Sequence, residues 1–209
     1  MKPVAFLFDL DGVIIDTEKE YENLWRVLGQ RYGIEDPDFA LKIKGNHLLY
    51  ITDTYFPHLS TAEKKQLLHD LQKMEADMTY KPIAGAMDFL REVREQEYPL
   101  ALVTSSSQYK MNRVYAQLPL RDLFHAVVTS DDIKRGKPFP DAFLLAAEKL
   151  NRKPEQCIVF EDSLSGIEAA RAANTTVIAL STTFPKDILL KHVSRVIPDF
   201  RGFCLQCIV

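Results

Sequence analysis

Asp9 and Asp11 stand two residues apart at the end of a short apolar run, Phe6-Leu7-Phe8, and Gly12 follows directly. A glycine there permits a tight backbone turn, so two carboxylates can be held near one substrate without solvating the whole run before them. A carboxylate with an ordinary pKa near ~3.9 is ionised at neutral pH, which makes these acids candidate nucleophiles, acid–base groups or metal ligands. A second acidic pair, Glu161-Asp162, closes another apolar run, Cys157-Ile158-Val159-Phe160. Acids at two separate run ends suggest a divalent metal site, and oxygen donors favour Mg²⁺ over zinc. Thr104-Ser105-Ser106-Ser107 offers hydroxyls and free backbone N–H groups that can cradle phosphate, and Lys137 sets a cation between Gly136 and Pro138. Each segment alone also has a plainer reading: solvated loop acids, helix capping, a surface Lys-Pro loop.

The elements that must carry these residues alternate. β-branched or aromatic runs at Val4 to Phe8, Leu100 to Val103, Val127-Val128, Ile158 to Phe160, Val177 to Leu180 and Val193 to Ile197 are separated by helical stretches. That order predicts a parallel sheet built from crossover units, whose ligand sites lie at the carboxyl ends of the strands. One long gap follows the first run. Thr17 and Glu20 have capping-box spacing ahead of Tyr21, Leu24, Trp25, Leu28 and Tyr32, and Gly33 ends the pattern. Ser60 and Glu63 repeat the spacing ahead of Leu67, Leu68, Leu71, Met74 and Met78, before Lys81-Pro82. The expected organisation is therefore an α/β core over residues 1–16 and 82–209, with a small helical module, 17–81, inserted after the first strand. Trp25 lies on the apolar face of its helix and is assigned to packing.

Composition narrows the function classes. The chain has 209 residues with a formal net charge of -3, which offers no broad attraction for nucleic acid or an acidic membrane. Three cysteines are too few for a disulfide framework, and the first apolar run ends at Asp9, too short for a signal-peptide core; a cytoplasmic setting is expected. The Cys204 and Cys207 pair lies in what reads as a tail, without further ligands nearby in sequence. His58, His69, His125 and His192 lack metal-ligand spacing to one another.

Taken in order, these residues resemble the haloacid dehalogenase superfamily of phosphotransferases. Asp9-x-Asp11-Gly12-Val13 matches its first motif, Thr104 its second, Lys137 its third and Glu161-Asp162 its fourth, over essentially the whole chain. The stretches DLDGVIIDTE, GKPFPDAF and EDSLSGIEAA are similar to the subgroup of β-phosphoglucomutase and small sugar-phosphate phosphatases. The resemblance implies a Rossmann-like parallel core with an α-helical cap inserted after the first strand, and Mg²⁺ as cofactor.

By the same resemblance, Asp9 is the nucleophile that forms an aspartyl phosphate, and Asp11 protonates the leaving oxygen and later activates water. The metal is held by the Asp9 carboxylate, the Asp11 backbone carbonyl and the Asp162 carboxylate, with Glu161 just behind them. Thr104, Ser105 and Lys137 hold phosphate. Glu18, Tyr21, Lys44, Asn46, His47 and Lys73 are the candidate substrate-facing residues of the cap. Tyr21 stands where the mutase has a cap histidine, and Leu48 follows where its cap arginine is expected, so hydrolysis of a small phosphomonoester is favoured over sugar phosphomutation. A non-enzymatic phosphate-binding protein is a third reading. The partner expected is a small phosphorylated metabolite, with no nucleic acid or membrane; oligomeric state is not legible.

Overall fold

The computed structural model describes residues 4–46 and 48–208. In chain order its elements are β1 Ala5–Phe8, β2 Ile15–Asp16, α1 Glu18–Arg31, α2 Phe39–Lys42, α3 Leu48–Tyr55, α4 Thr61–Glu75, β3 Lys81–Pro82, α5 Ala86–Glu95, β4 Leu100–Val103, α6 Gln108–Gln117, β5 Ala126–Val128, α7 Asp141–Lys149, β6 Cys157–Glu161, α8 Leu164–Ala172, β7 Thr176–Leu180, α9 Lys186–Leu189 and β8 Val196–Ile197.

The main sheet is parallel, in the order β5-β4-β1-β6-β7-β8. Its strands are apolar at nearly every position because both faces are covered. Phe6, Phe8, Leu100, Leu102 and Phe160 point to one side, where they meet Phe89, Leu90 and Val93 of α5 and Met111 and Val114 of α6. Ala5, Leu7, Ala101, Val103 and Val159 alternate to the other side, against Ala142, Phe143 and Ala146 of α7 and Ile167 and Ala170 of α8. The first face is rich in rings: Phe8 stacks on Phe160 with centroids 4.8 Å apart, and Phe89 on Phe200 at 5.1 Å. The second uses small residues, which let its helices approach the sheet closely.

Strand order runs outward from β1 through β4 to β5, then returns to β6 on the opposite side of β1. The reversal opens a crevice at the carboxyl ends of β1 and β6, the place where open α/β sheets bind ligands. The two segments leading out of and back into the sheet pair antiparallel, with Ile15 opposite Pro82 and Asp16 opposite Lys81. Between them α1 to α4 bury their own apolar cluster, including Leu24, Leu28, Phe39, Phe56 and Leu67.

Three sequence expectations need amendment. The last strand is confined to Val196–Ile197, since the preceding residues form an irregular approach after α9. Thr17 is the N-cap of α1 but makes no side-chain cap, because its hydroxyl donates to Asp11 instead. Ser60, by contrast, forms the full capping box with Glu63. The segment around Cys204 is not a loose tail: Phe200 and Leu205 are buried in the aromatic face and Phe203 packs against it.

Candidate active site

β1 delivers Asp9 to the crevice, and β6 delivers Glu161 and Asp162 beside it; the Phe8 and Phe160 positions are paired in register. Lys137 comes from the loop before α7 and is buried. Its Nζ lies 2.6 Å from Asp9 Oδ1 and also ion-pairs with Glu161 Oε1. Glu161 Oε2 accepts hydrogen bonds from the backbone N–H groups of Asp162 and Ser163 and from Ser163 Oγ at 2.9 to 3.0 Å. Glu161 therefore orients Lys137 and the 162–163 turn. A Cβ on Gly166 would collide with it, so that helix turn requires glycine.

Among the described residues, Asp9, Glu161 and Asp162 bring carboxylate oxygens within 4.8 Å of one another. With Glu161 committed on both oxygens, the carboxylates left to hold a cation are those of Asp9 and Asp162. Burial pushes the Asp9 pKa up, against the pull of Lys137 and with the push of Glu161, to about 8. Burial, then the charges of Glu18, Glu161 and Asp9, drives Asp162 well above the ordinary carboxylate range. One lysine cannot neutralise three buried acids, and the all-oxygen donor set fits a hard divalent cation. Gly12 lets the backbone pass here: a Cβ would collide with the Asp162 carboxylate, and φ is +73°.

Asp11, the other acid of the first pair, faces a different set of groups. Lys110 Nζ lies 2.6 and 2.7 Å from its two oxygens, Ser106 Oγ donates at 3.1 Å, and Thr17 Oγ1 donates as well. Burial acts to raise its pKa, but the charge and hydrogen bonds of Lys110, with those of Thr17 and Ser106, outweigh it and hold the carboxyl below its ordinary value. The two aspartates of one short motif thus sit in opposite electrostatic settings.

Thr104 lies just beyond β4, buried, and its Oγ1 accepts from the Ser106 N–H at 3.0 Å. Ser105 Oγ donates to the carbonyl of Gly45 at 3.1 Å, and a Cβ on Gly45 would collide with Ser163. The helical segment is thereby seated directly on the strand ends. Between them is a cavity of about 220 Å³ that Asp9, Asp11, Asp162, Thr104 and Ser105 enter from the sheet.

Of the residues expected on the opposite wall, Glu18, Tyr21, Lys44 and Asn46 line the cavity. His47 lies outside the described residues. Lys73 is exposed and does not line it, because the face of α4 turned inward carries Leu68, Leu71, Gln72 and Glu75, spaced by one helical turn. Lys137 acts from beneath Asp9 and does not line the cavity. Trp25 packs as expected yet also borders the cavity. Sequence reasoning missed Lys110, Ser106, Thr17 and Glu75. Ser106 was within the hydroxyl run already singled out and Thr17 was read only as a helix cap; Lys110 and Glu75 carry no local signal.

The wall residues are tightly paired. Lys44 Nζ lies 3.2 Å from Glu18 and 3.1 Å from Glu22. Tyr21 donates its hydroxyl to Glu75 Oε1 at 2.5 Å, and Glu75 is buried. Burial raises the Glu75 pKa against that hydrogen bond, and raises the Tyr21 hydroxyl with help from the Glu75 charge.

The family model for haloacid dehalogenase-like hydrolases matches residues 6–180, which includes every strand-end residue of this crevice. The chain belongs to the haloacid dehalogenase-like hydrolase family. Within that family it is 34% identical over 174 residues to a phosphorylated carbohydrates phosphatase of Thermotoga maritima, covering 81% of each chain. It is 33% identical to fructose-1-phosphate phosphatase of Escherichia coli, covering 83% of this chain and 94% of that one. Among solved structures, β-phosphoglucomutase of Clostridium difficile superposes with a TM-score of 0.81 at 26% identity, covering 98% and 94% of the two chains. Among the described residues, no helix is long and apolar enough to cross a membrane.

Proposed function

We propose that this phosphoric monoester hydrolase acts on a small sugar or polyol phosphate in a cytoplasmic setting, through an aspartyl phosphate formed at Asp9, with Mg²⁺ as cofactor. The observation that carries the reading is the shared cavity: Asp9, Asp11, Asp162 and Thr104 open into one space of about 220 Å³, walled opposite by polar side chains and an indole.

In the proposed first step, an Asp9 carboxylate oxygen attacks phosphorus while the bond to the leaving oxygen breaks; Asp11, ionised beside Lys110, takes up a proton from solvent as substrate binds and passes it to that oxygen. In the second, Asp11 takes a proton from water as the water oxygen attacks the aspartyl phosphate, releasing phosphate and restoring Asp9. Thr104 Oγ1 and the Ser105 N–H hold phosphate oxygens, while Lys137, expected from the sequence among them, offsets negative charge from beneath Asp9. The Asp9 and Asp162 carboxylates and the Asp11 backbone carbonyl would hold the metal, which supplies positive charge to the transferring phosphoryl group. Residues 17–81 serve as the cap, with hinges near 16–18 and 81–84, and close the site against water.

The cavity wall supports hydrolysis over phosphomutation. A mutase must grip a bisphosphate by its non-reacting phosphate, yet no arginine lines this wall among the described residues, and Lys44 is already shared by two glutamates. Glu18, Tyr21, Asn46 and Gln72 suit the hydroxyls of a neutral leaving alcohol. Incubation with glucose 1-phosphate, followed by chromatography, tests the assignment. Free glucose and phosphate, formed with Mg²⁺ and lost with EDTA, are expected. Accumulation of glucose 6-phosphate would overturn it in favour of a mutase, and metal-independent turnover would overturn the cofactor assignment.

A further inference from the structure

We infer that Lys110 is a positioning residue for Asp11, and that the helical segment above the sheet holds Lys110 in place. Resting on the phosphatase reading, this assigns the site a residue outside the motif set. Lys110 lies in the first turn of α6, just after the hydroxyl run, and its side chain is only 4% exposed. It meets both oxygens of Asp11, at 2.6 and 2.7 Å, whereas Thr17 and Ser106 touch one oxygen each. Contact with both oxygens limits rotation of the carboxylate as well as its displacement.

The ammonium group is in turn confined from the other side. Lys110 Nζ lies 4.2 Å from the centroid of the Tyr21 ring on α1, within cation–π range, and the Tyr21 hydroxyl is bonded to buried Glu75 on α4 at 2.5 Å. Asp11, Lys110, Tyr21 and Glu75 form a continuous chain from the sheet edge to two helices of the inserted segment. An ion pair with little access to water is weak evidence of stabilisation, since replacing both partners by apolar side chains of similar volume is often neutral or better. What this arrangement supplies is a set place for the Asp11 carboxyl relative to the leaving oxygen, and that place depends on the helical segment being seated.

The consequence is selective. An alkoxide leaving group needs a proton from Asp11, whereas a nitrophenolate leaves without one, so loss of positioning should penalise alkyl esters more. The test compares kcat/KM on fructose 1-phosphate with kcat/KM on p-nitrophenyl phosphate, both with Mg²⁺, for wild type, Lys110→Met and Lys110→Arg. In Lys110→Met the ratio of alkyl to aryl kcat/KM is expected to fall at least tenfold, with partial recovery in Lys110→Arg. A smaller fall in the ratio, or equal losses on both substrates, would overturn the proposal and leave Lys110 a structural residue. If Lys110→Met does not fold, as judged by circular dichroism, Lys110→Gln is read by the same ratio. Absence of Mg²⁺-dependent phosphate release by the wild type on both substrates would instead defeat the phosphatase reading.

Discussion

The Nζ of Lys137 lies 2.6 Å from Oδ1 of Asp9, across 128 positions of sequence, and the same nitrogen is paired to Glu161. The proposed nucleophile is thus tethered to the only ammonium group beneath it among the described residues. Removing that group leaves buried acids facing one another. Lys137→Met is expected to abolish turnover and to lower stability by about 3 kcal/mol. Urea denaturation measures the second effect, and full stability would show that the acids take up protons at little cost.

Asp9→Asn should remove phosphate release while the fold persists, because the amide keeps the size of the side chain and lessens the crowding of negative charge. Phosphate assays and circular dichroism check this. Retained turnover would refute the assignment of Asp9 as nucleophile.

The raised pKa of Asp9 has a definite sign in stability. Burial lifts it from 3.8 to about 8, so its contribution to the metal-free protein is complete below pH 4 and is lost as pH rises towards 8. In EDTA-treated protein, the melting temperature of wild type relative to Asp9→Asn is expected to fall between pH 5 and 8. Mg²⁺ should stabilise the wild type more at pH 8 than at pH 6, since ligation needs the ionised acids. A larger effect of Mg²⁺ at pH 6 would contradict the proposed ligand set.

Gly166→Ala places a methyl group against the Glu161 carboxylate, which is buried and committed on both oxygens. Overpacking of that kind costs about 1–3 kcal/mol. Chemical denaturation should register the loss, and turnover should fall with it because Glu161 orients Lys137.

Gly45→Val acts at the other side of the cavity. Gly45 has φ of +75° and is packed against Ser163, so a side chain there must lift the segment off the strand ends. kcat/KM is expected to drop about a hundredfold, as for a misplacement of ~1 Å. The unfolding midpoint of the sheet domain should move little; a large shift would mean that this contact stabilises the fold and does more than seat the helices.

The acid motifs and the sheet were legible in the sequence because each is a local pattern. Apolar runs ending in Asp9, Thr104 and Glu161-Asp162 read together as strand ends, and the alternation of strands and helices implies a parallel sheet, while the order of strands within it came from the fold. The two strong helices of the insert were also readable, from the spacing of their apolar faces, whereas α2, only four residues long, carries too short a pattern to register. What the tertiary structure alone decided is the environment of each acid. Thr17 reads as a helix cap until Asp11 is seen to take its hydroxyl, and Lys110, separated from Asp11 by 99 positions, is an ordinary helix lysine in the sequence. Lys73 and Glu75 are two residues apart on one helix, yet only Glu75 turns into the cavity. Residue type and order specify which groups arrive at the strand ends. Charge balance there depends on desolvation and on distances of about 3 Å between remote segments, and these exist only once the chain has folded.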